Sequence, residues 1–124
     1  MKRIVVYIAL IAIAFGCAEQ QNVDMYSFRE GSFEIPAGDK YDKTTFVRNG
    51  NYQIETYGER IDSLEIIWTD NFNYTLKMLH PKSELDQDPI KVRITKVTAN
   101  SYDFEAVIGH SNYKQIGTVI KLTD

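Results

Sequence analysis

Along most of the chain, apolar and polar residues alternate with a period of two. Leu64, Ile66 and Trp68 are interleaved with Ser63, Glu65 and Ile67, and Phe72, Tyr74, Leu76 and Met78 with Asn73, Thr75 and Lys77. Ile90, Val92 and Ile94 alternate with Lys91, Arg93 and Thr95, and Tyr102, Phe104, Ala106 and Ile108 with Asp103, Glu105 and Val107. Ile116, Thr118, Ile120 and Leu122 close the series. Period two sends successive side chains to opposite faces, so this pattern predicts half-buried antiparallel strands. No stretch carries a sustained helical stripe, and at most one helical turn is expected, within residues 81–86. Eight strands are predicted, near 28–35, 43–48, 51–57, 61–68, 72–79, 90–97, 101–109 and 115–123.

Agreement between faces fixes the expected registers, because a one-residue slip turns every side chain over. A two-residue Asn49-Gly50 turn would set Phe46 against Gln53 and mix the faces. A three-residue loop of Arg48, Asn49 and Gly50 instead pairs Phe46 with Tyr52 and Thr44 with Ile54. Similar loops, Thr69-Asp70-Asn71 and Thr98-Ala99-Asn100, pair Trp68 with Phe72, Ile66 with Tyr74, Leu64 with Leu76, Ile94 with Phe104 and Ile90 with Ile108. The last register sets Arg93 opposite Glu105. Each loop ends on Gly or Asn, residues that tolerate the left-handed conformation, so positive φ is expected at Gly50, Asn71 and Asn100.

Short turns between successive antiparallel strands make a meander. Its apolar face must be covered, and closing the sheet on itself removes both edges. The expected fold is therefore all-β: an antiparallel meander of about eight strands closing into a small lipocalin-like barrel, with a two-sheet β-sandwich as the alternative. At eight strands the interior is filled by side chains or holds one small ligand. Thirteen aromatics remain once Tyr7 and Phe15 are set aside, which argues for an interior mostly packed. Tyr52, Trp68, Tyr74 and Tyr102 fall on the expected inner face and are the candidate ligand-facing residues. Arg48 and Lys96, at strand ends near the rim that holds Asn71 and Asn100, are the candidate polar contacts.

The N-terminus has a different character. Lys2 and Arg3 precede an unbroken apolar run, Ile4 to Phe15, followed by Gly16 and Cys17, after which the chain turns polar. Charge, apolar run and small residues in that order form the secretory signal pattern, and the run is too short to span a bilayer. Cys17 is the sole cysteine, so it cannot form an internal disulfide. Ala14-Phe15-Gly16-Cys17 resembles a bacterial lipobox, with Ala14 where Leu is usual. That resemblance implies cleavage before Cys17 and acylation of the new terminus, an anchor made stable by two or more chains. Ala18, in place of Asp, points to the outer membrane by resemblance to enteric sorting. The expected organisation is a signal peptide at 1–16, lipidated Cys17 and a polar tether to 27, and a β domain over 28–124. The tether residues from Ala18 to Asp24 reach at most roughly 25–29 Å.

Charge and side-chain chemistry narrow the function classes. The net charge of −3 becomes −5 when Lys2 and Arg3 are cut away, which removes the basic field that nucleic-acid binding requires. His80 and His110 are two loop histidines without a third ligand, short of a zinc site. Glu84, Asp86 and Asp88 share a loop but lack the glycine and closing glutamate of an EF-hand. Ser63, Ser101 and Ser111 lie outside any nucleophile elbow, and the glycines are too dispersed for a phosphate loop. The expectation is a non-enzymatic protein with no cofactor and no metal. Its partners are expected to be the membrane, through Cys17, and either a small apolar or amphipathic ligand or another envelope protein.

Several motifs carry a resemblance. Gly31-Ser32-Phe33-Glu34, Thr44-Thr45-Phe46-Val47-Arg48-Asn49, Asp62-Ser63, Trp68, Pro81-Lys82, Asn100-Ser101-Tyr102-Asp103-Phe104 and Gln115-Ile116-Gly117-Thr118 resemble a group of short, uncharacterised lipoproteins of Bacteroidetes. Some members carry an inherited "DNA topoisomerase IV" label. A short, acidic, exported chain has no room for the ATPase and cleavage domains of such an enzyme. The resemblance implies an envelope lipoprotein and assigns no chemistry.

Overall fold

A computed structural model describes residues 23–39, 41–109 and 111–123. Its eight strands are β1 (Gly31–Ile35), β2 (Thr44–Asn49), β3 (Tyr52–Tyr57), β4 (Arg60–Asp70), β5 (Asn73–Met78), β6 (Ile90–Val97), β7 (Ser101–Ile108) and β8 (Lys114–Thr123). Every neighbouring pair in sequence is antiparallel, and β8 returns to pair with β1, so the sheet is a closed up-and-down barrel. Closure leaves no unpaired sheet edge, which settles the barrel over the sandwich. The single turn expected at 81–86 lies slightly later, as a 3-10 turn at Leu85–Gln87.

The three hairpins that set the registers behave differently. Between β6 and β7 the pairs Ile94–Phe104, Ile90–Ile108 and Arg93–Glu105 form as expected. Between β4 and β5 the register is two residues away from the expected one: Trp68 faces Tyr74, Ile66 faces Leu76 and Leu64 faces Met78. The Asp70 carboxylate accepts from the Phe72 N–H at 2.8 Å and from the Asn73 amide, so the turn forms at Asn71-Phe72 and a bulge absorbs Thr69. An even shift preserves the faces. No described non-glycine residue has positive φ, so the expectation at Asn71 and Asn100 is corrected, while Gly50 has φ +61°.

Between β2 and β3 the faces do change. Gly50-Asn51 is a two-residue turn in which Gly50 supplies the positive φ of a type II′ hairpin. Arg48 consequently faces Gln53, Phe46 faces Glu55 and Val47 faces Ile54. The inner positions of β3 are Gln53 and Glu55, and Tyr52 stands on the outer face, 57% exposed. β8 is inverted in the same sense. Val119 is buried, whereas Ile116 and Leu122 from the expected apolar set are exposed.

One end of the barrel is plugged. Residues read from the sequence as the end of the tether and the start of the first strand form a 3-10 helix, Met25–Arg29, with the Asp24 side chain accepting from the Tyr26 N–H. Such a turn lacks the period-two pattern that betrays a strand. Phe28 is fully buried and packs edge-on against Tyr102 at 5.2 Å. Arg29 donates to Asn71 in the β4–β5 turn, and Lys121 donates to the Ser27 carbonyl. The core above the plug includes Phe33 stacked on Phe46, together with Leu64, Ile66, Ile94 and Val119.

Candidate binding cavity

The barrel interior is not completely filled. A cavity of about 150 Å³ lies between the plug and the opposite end. Its wall combines Phe46, Leu76, Val92 and Phe104 with Arg48, Gln53, Glu55 and Tyr74. Ile35, Thr44, Ile90 and Gln115 also line it, each at the end of its strand away from the plug, so the cavity opens there. The aromatic content that argued for a packed interior is spent partly on the plug and partly on the outer surface, where Tyr26, Tyr41, Tyr57 and Tyr113 are exposed.

Arg48 is the centre of the site and only 2% exposed. Position 48 is an inward position of β2, and the II′ turn brings Gln53 directly opposite. The guanidinium donates from Nε to Gln53 Oε1 at 2.8 Å, from Nη1 to the Phe28 carbonyl at 2.8 Å and from Nη2 to the Tyr102 hydroxyl at 2.9 Å. Five aromatic rings surround it, from Tyr74 at 4.8 Å to Tyr102 at 5.9 Å from Cζ to centroid. Their electron-rich faces attract the cation. Burial opposes the guanidinium charge, the oxygens of Tyr102 and Tyr74 support it, and its pKa stays above the ordinary arginine value. The Tyr74 and Tyr102 hydroxyls lie 2.7 Å apart. Burial, followed by the neighbouring Tyr102, lifts the Tyr74 pKa well above the tyrosine norm, so this hydroxyl stays neutral.

A relay leads from Arg48 toward the mouth. Gln53 Nε2 donates to Glu55 Oε2 at 2.7 Å. Burial raises the Glu55 pKa, with Asp62 adding to the rise; the Gln53 amide, Arg48 and Arg60 act against it. At the rim Arg60 bridges Asp62 at 2.6 Å and Asp86 at 2.8 Å. Asp86 also accepts from the Lys82 N–H and the Ser83-capped turn holds it in place. Of the acidic loop, Asp86 is thus paired with Arg60, and no described cluster of three or more His, Cys, Asp or Glu side chains is arranged to hold a metal.

The five candidate residues separate cleanly. Arg48 and Tyr74 line the cavity, and Tyr102 supports both from the plug side. Trp68 packs against Tyr74 with the rings tilted by 50° and centroids 4.7 Å apart, behind the cavity wall, with its buried Nε1–H unpartnered and Arg29 over its ring at 4.8 Å. Tyr52 is outside. Arg48 is a buried interior residue rather than a rim contact, and Lys96 is exposed on the outer side of β6. Gln53 and Glu55 were missed, because the inward face of β3 is its polar one. The available signal was Gly50 followed by a single residue, the II′ signature. Cys17 and His110 lie outside the described residues. Comparison with family models, curated proteins and solved structures finds no match for this chain.

Proposed function

We propose that this chain is a lipid-anchored protein of the cell envelope, held through Cys17 at the outer membrane, whose barrel takes a small amphipathic ligand into its interior. The observation that carries the ligand reading is the 150 Å³ cavity lined by apolar side chains together with buried Arg48, Gln53 and Tyr74 and half-buried Glu55. Apolar surroundings with a few converging polar groups are the usual makeup of a small-molecule site. The anchor reading rests on the signal pattern and the placement of the lone cysteine. Protein gently extracted from membranes and then denatured should release a small amphiphile at about one per chain, by mass spectrometry of the extract. The Cys17→Ser chain should leave the membrane fraction. Unchanged membrane association would remove the anchor, and an extract with no small molecule would count against the ligand.

A second reading has its own observation. Tyr52, Ile54 and Leu79 are exposed and, with Asn49, Asn51 and Ser63, line a shallow depression on the outer face of β3 and β4. An apolar outer patch suits contact with another envelope protein. Crosslinking from position 54 in intact cells to one protein partner, with no small molecule in the extract, would favour this second reading.

A further inference from the structure

The interior presents a charge without a matching partner. Arg48 is buried, yet no described carboxylate lies within ion-pairing distance of its guanidinium. Its acceptors are neutral: a carbonyl, an amide oxygen and the tyrosine hydroxyls. Glu55 is reached only through Gln53. Buried charges are ordinarily paired, because neutral dipoles replace lost hydration incompletely. An arginine also carries five N–H donors. Three are used on Gln53, Phe28 and Tyr102, a further interaction reaches the Tyr74 hydroxyl, and Arg48 is part of the cavity wall.

The tyrosine pair adds a second donor. Tyr102 accepts from Arg48, and the Tyr74 and Tyr102 hydroxyls share one hydrogen bond between them. Two hydroxyl hydrogens serve that single bond, so one is spare. Either hydroxyl can donate; when Tyr102 donates to Tyr74, the spare hydrogen belongs to Tyr74, the member of the pair that lines the cavity. Two donors facing one space match the two oxygens of a carboxylate. A phosphate dianion would bring more acceptors than these donors satisfy. A primary amine would meet Arg48 with like charge.

The remaining wall sets the size. A cavity of 150 Å³ accommodates a body of about benzene size. We infer that the cavity recognises a small monocarboxylic acid, its carboxylate held by Arg48 and Tyr74 and its apolar body lying against Phe46, Leu76, Val92 and Phe104. This rests on the ligand-binding reading above and assigns its chemical class.

The test titrates hexanoate and benzoate, with hexanol, benzamide, hexylamine and inorganic phosphate as comparators, into the full chain. Binding is read by calorimetry and by Trp68 fluorescence, Trp68 being the sole tryptophan. The acids should bind about tenfold or more tightly than hexanol or benzamide, the difference expected of charge-assisted hydrogen bonds. Tyr74→Phe should weaken acid binding roughly three- to tenfold and hexanol binding by less. Arg48→Met should erase the preference; if it fails to fold, Tyr74→Phe alone decides. Equal binding of acids and neutral compounds, or tighter binding of hexylamine or phosphate, overturns the carboxylate assignment while the cavity reading stands. Binding of none of the probes overturns both.

Discussion

Replacing Tyr102 by Phe removes one oxygen from the middle of the barrel and keeps the ring that packs on Phe28. Tyr102 is 1% exposed, so water cannot take the place of the lost hydroxyl without entering the core. Arg48 Nη2 loses an acceptor at 2.9 Å, and Tyr74 loses its partner at 2.7 Å. A hydrogen bond to a charged group contributes about 1.5–3 kcal/mol and a neutral one about 0.5–1.5, so the substitution should cost about 2–4.5 kcal/mol. Urea unfolding followed by Trp68 fluorescence gives this value directly, with the slope unchanged because the exposed area does not change. Tyr113→Phe, at a residue 69% exposed, is the control and should stay within about 0.5 kcal/mol of the parent. Tyr74→Phe completes a double-mutant cycle; a shared bond predicts a coupling of at least about 0.5 kcal/mol. A cost for Tyr102→Phe below about 0.5 kcal/mol would refute the buried network as a source of stability. A full cost with no coupling would mean that the two hydroxyls do not bond each other.

Two further outcomes follow from the cavity wall. The Glu55 pKa is raised above 4.5 in the folded protein, so the unfolded chain releases this proton first as pH climbs. The native state therefore loses stability from about pH 4.5 upward until the folded pKa is passed, and Glu55→Gln should abolish that decline; a stability difference between the two proteins that stays constant from about pH 4 to about pH 8 would contradict it. At Gly117, an added Cβ would stand 2.9 Å from Phe104 Cζ, so Gly117→Ala must drive that ring inward. The variant should lose about 1–3 kcal/mol and bind benzoate more weakly, and unchanged values in both would show that the ring has room elsewhere.

The parts of the fold legible in the sequence were those in which apolar residues face the core. β6 and β7 have that pattern, and their register from Ile90 to Ile94 emerged as expected, including Arg93 against Glu105, before a bulge shifts Lys96 and Val97 by one residue. The rule failed where the interior is polar. On β3 the inward residues are Gln53 and Glu55 and the outward ones Tyr52 and Ile54; on β8 Gly117 and Gln115 lie along the cavity side while Ile116 is exposed. Alternation identifies two faces and leaves open which one is inside. The choice normally falls to hydrophobicity, and a site built from Arg48, Gln53 and Glu55 reverses it locally. The failures on β3 and β8 therefore fall where polar residues face the cavity. The plug was illegible for another reason: a five-residue 3-10 turn shows no strand period, and its burial depends on the barrel beneath it.

The plug also gives the barrel a direction. The chain reaches the barrel at the closed end, where Val23 and Met25 pack against the core and Asp24 caps the turn. An anchor at Cys17 would meet the domain at that pole, with the opening at the other. A solute would then arrive from the aqueous side, and a molecule dissolved in the bilayer would have to leave it completely before reaching Arg48. Such a layout favours compounds with real solubility in water. With that anchor and that ligand class, it would favour short acids over long-chain lipids before any contact is made with the wall.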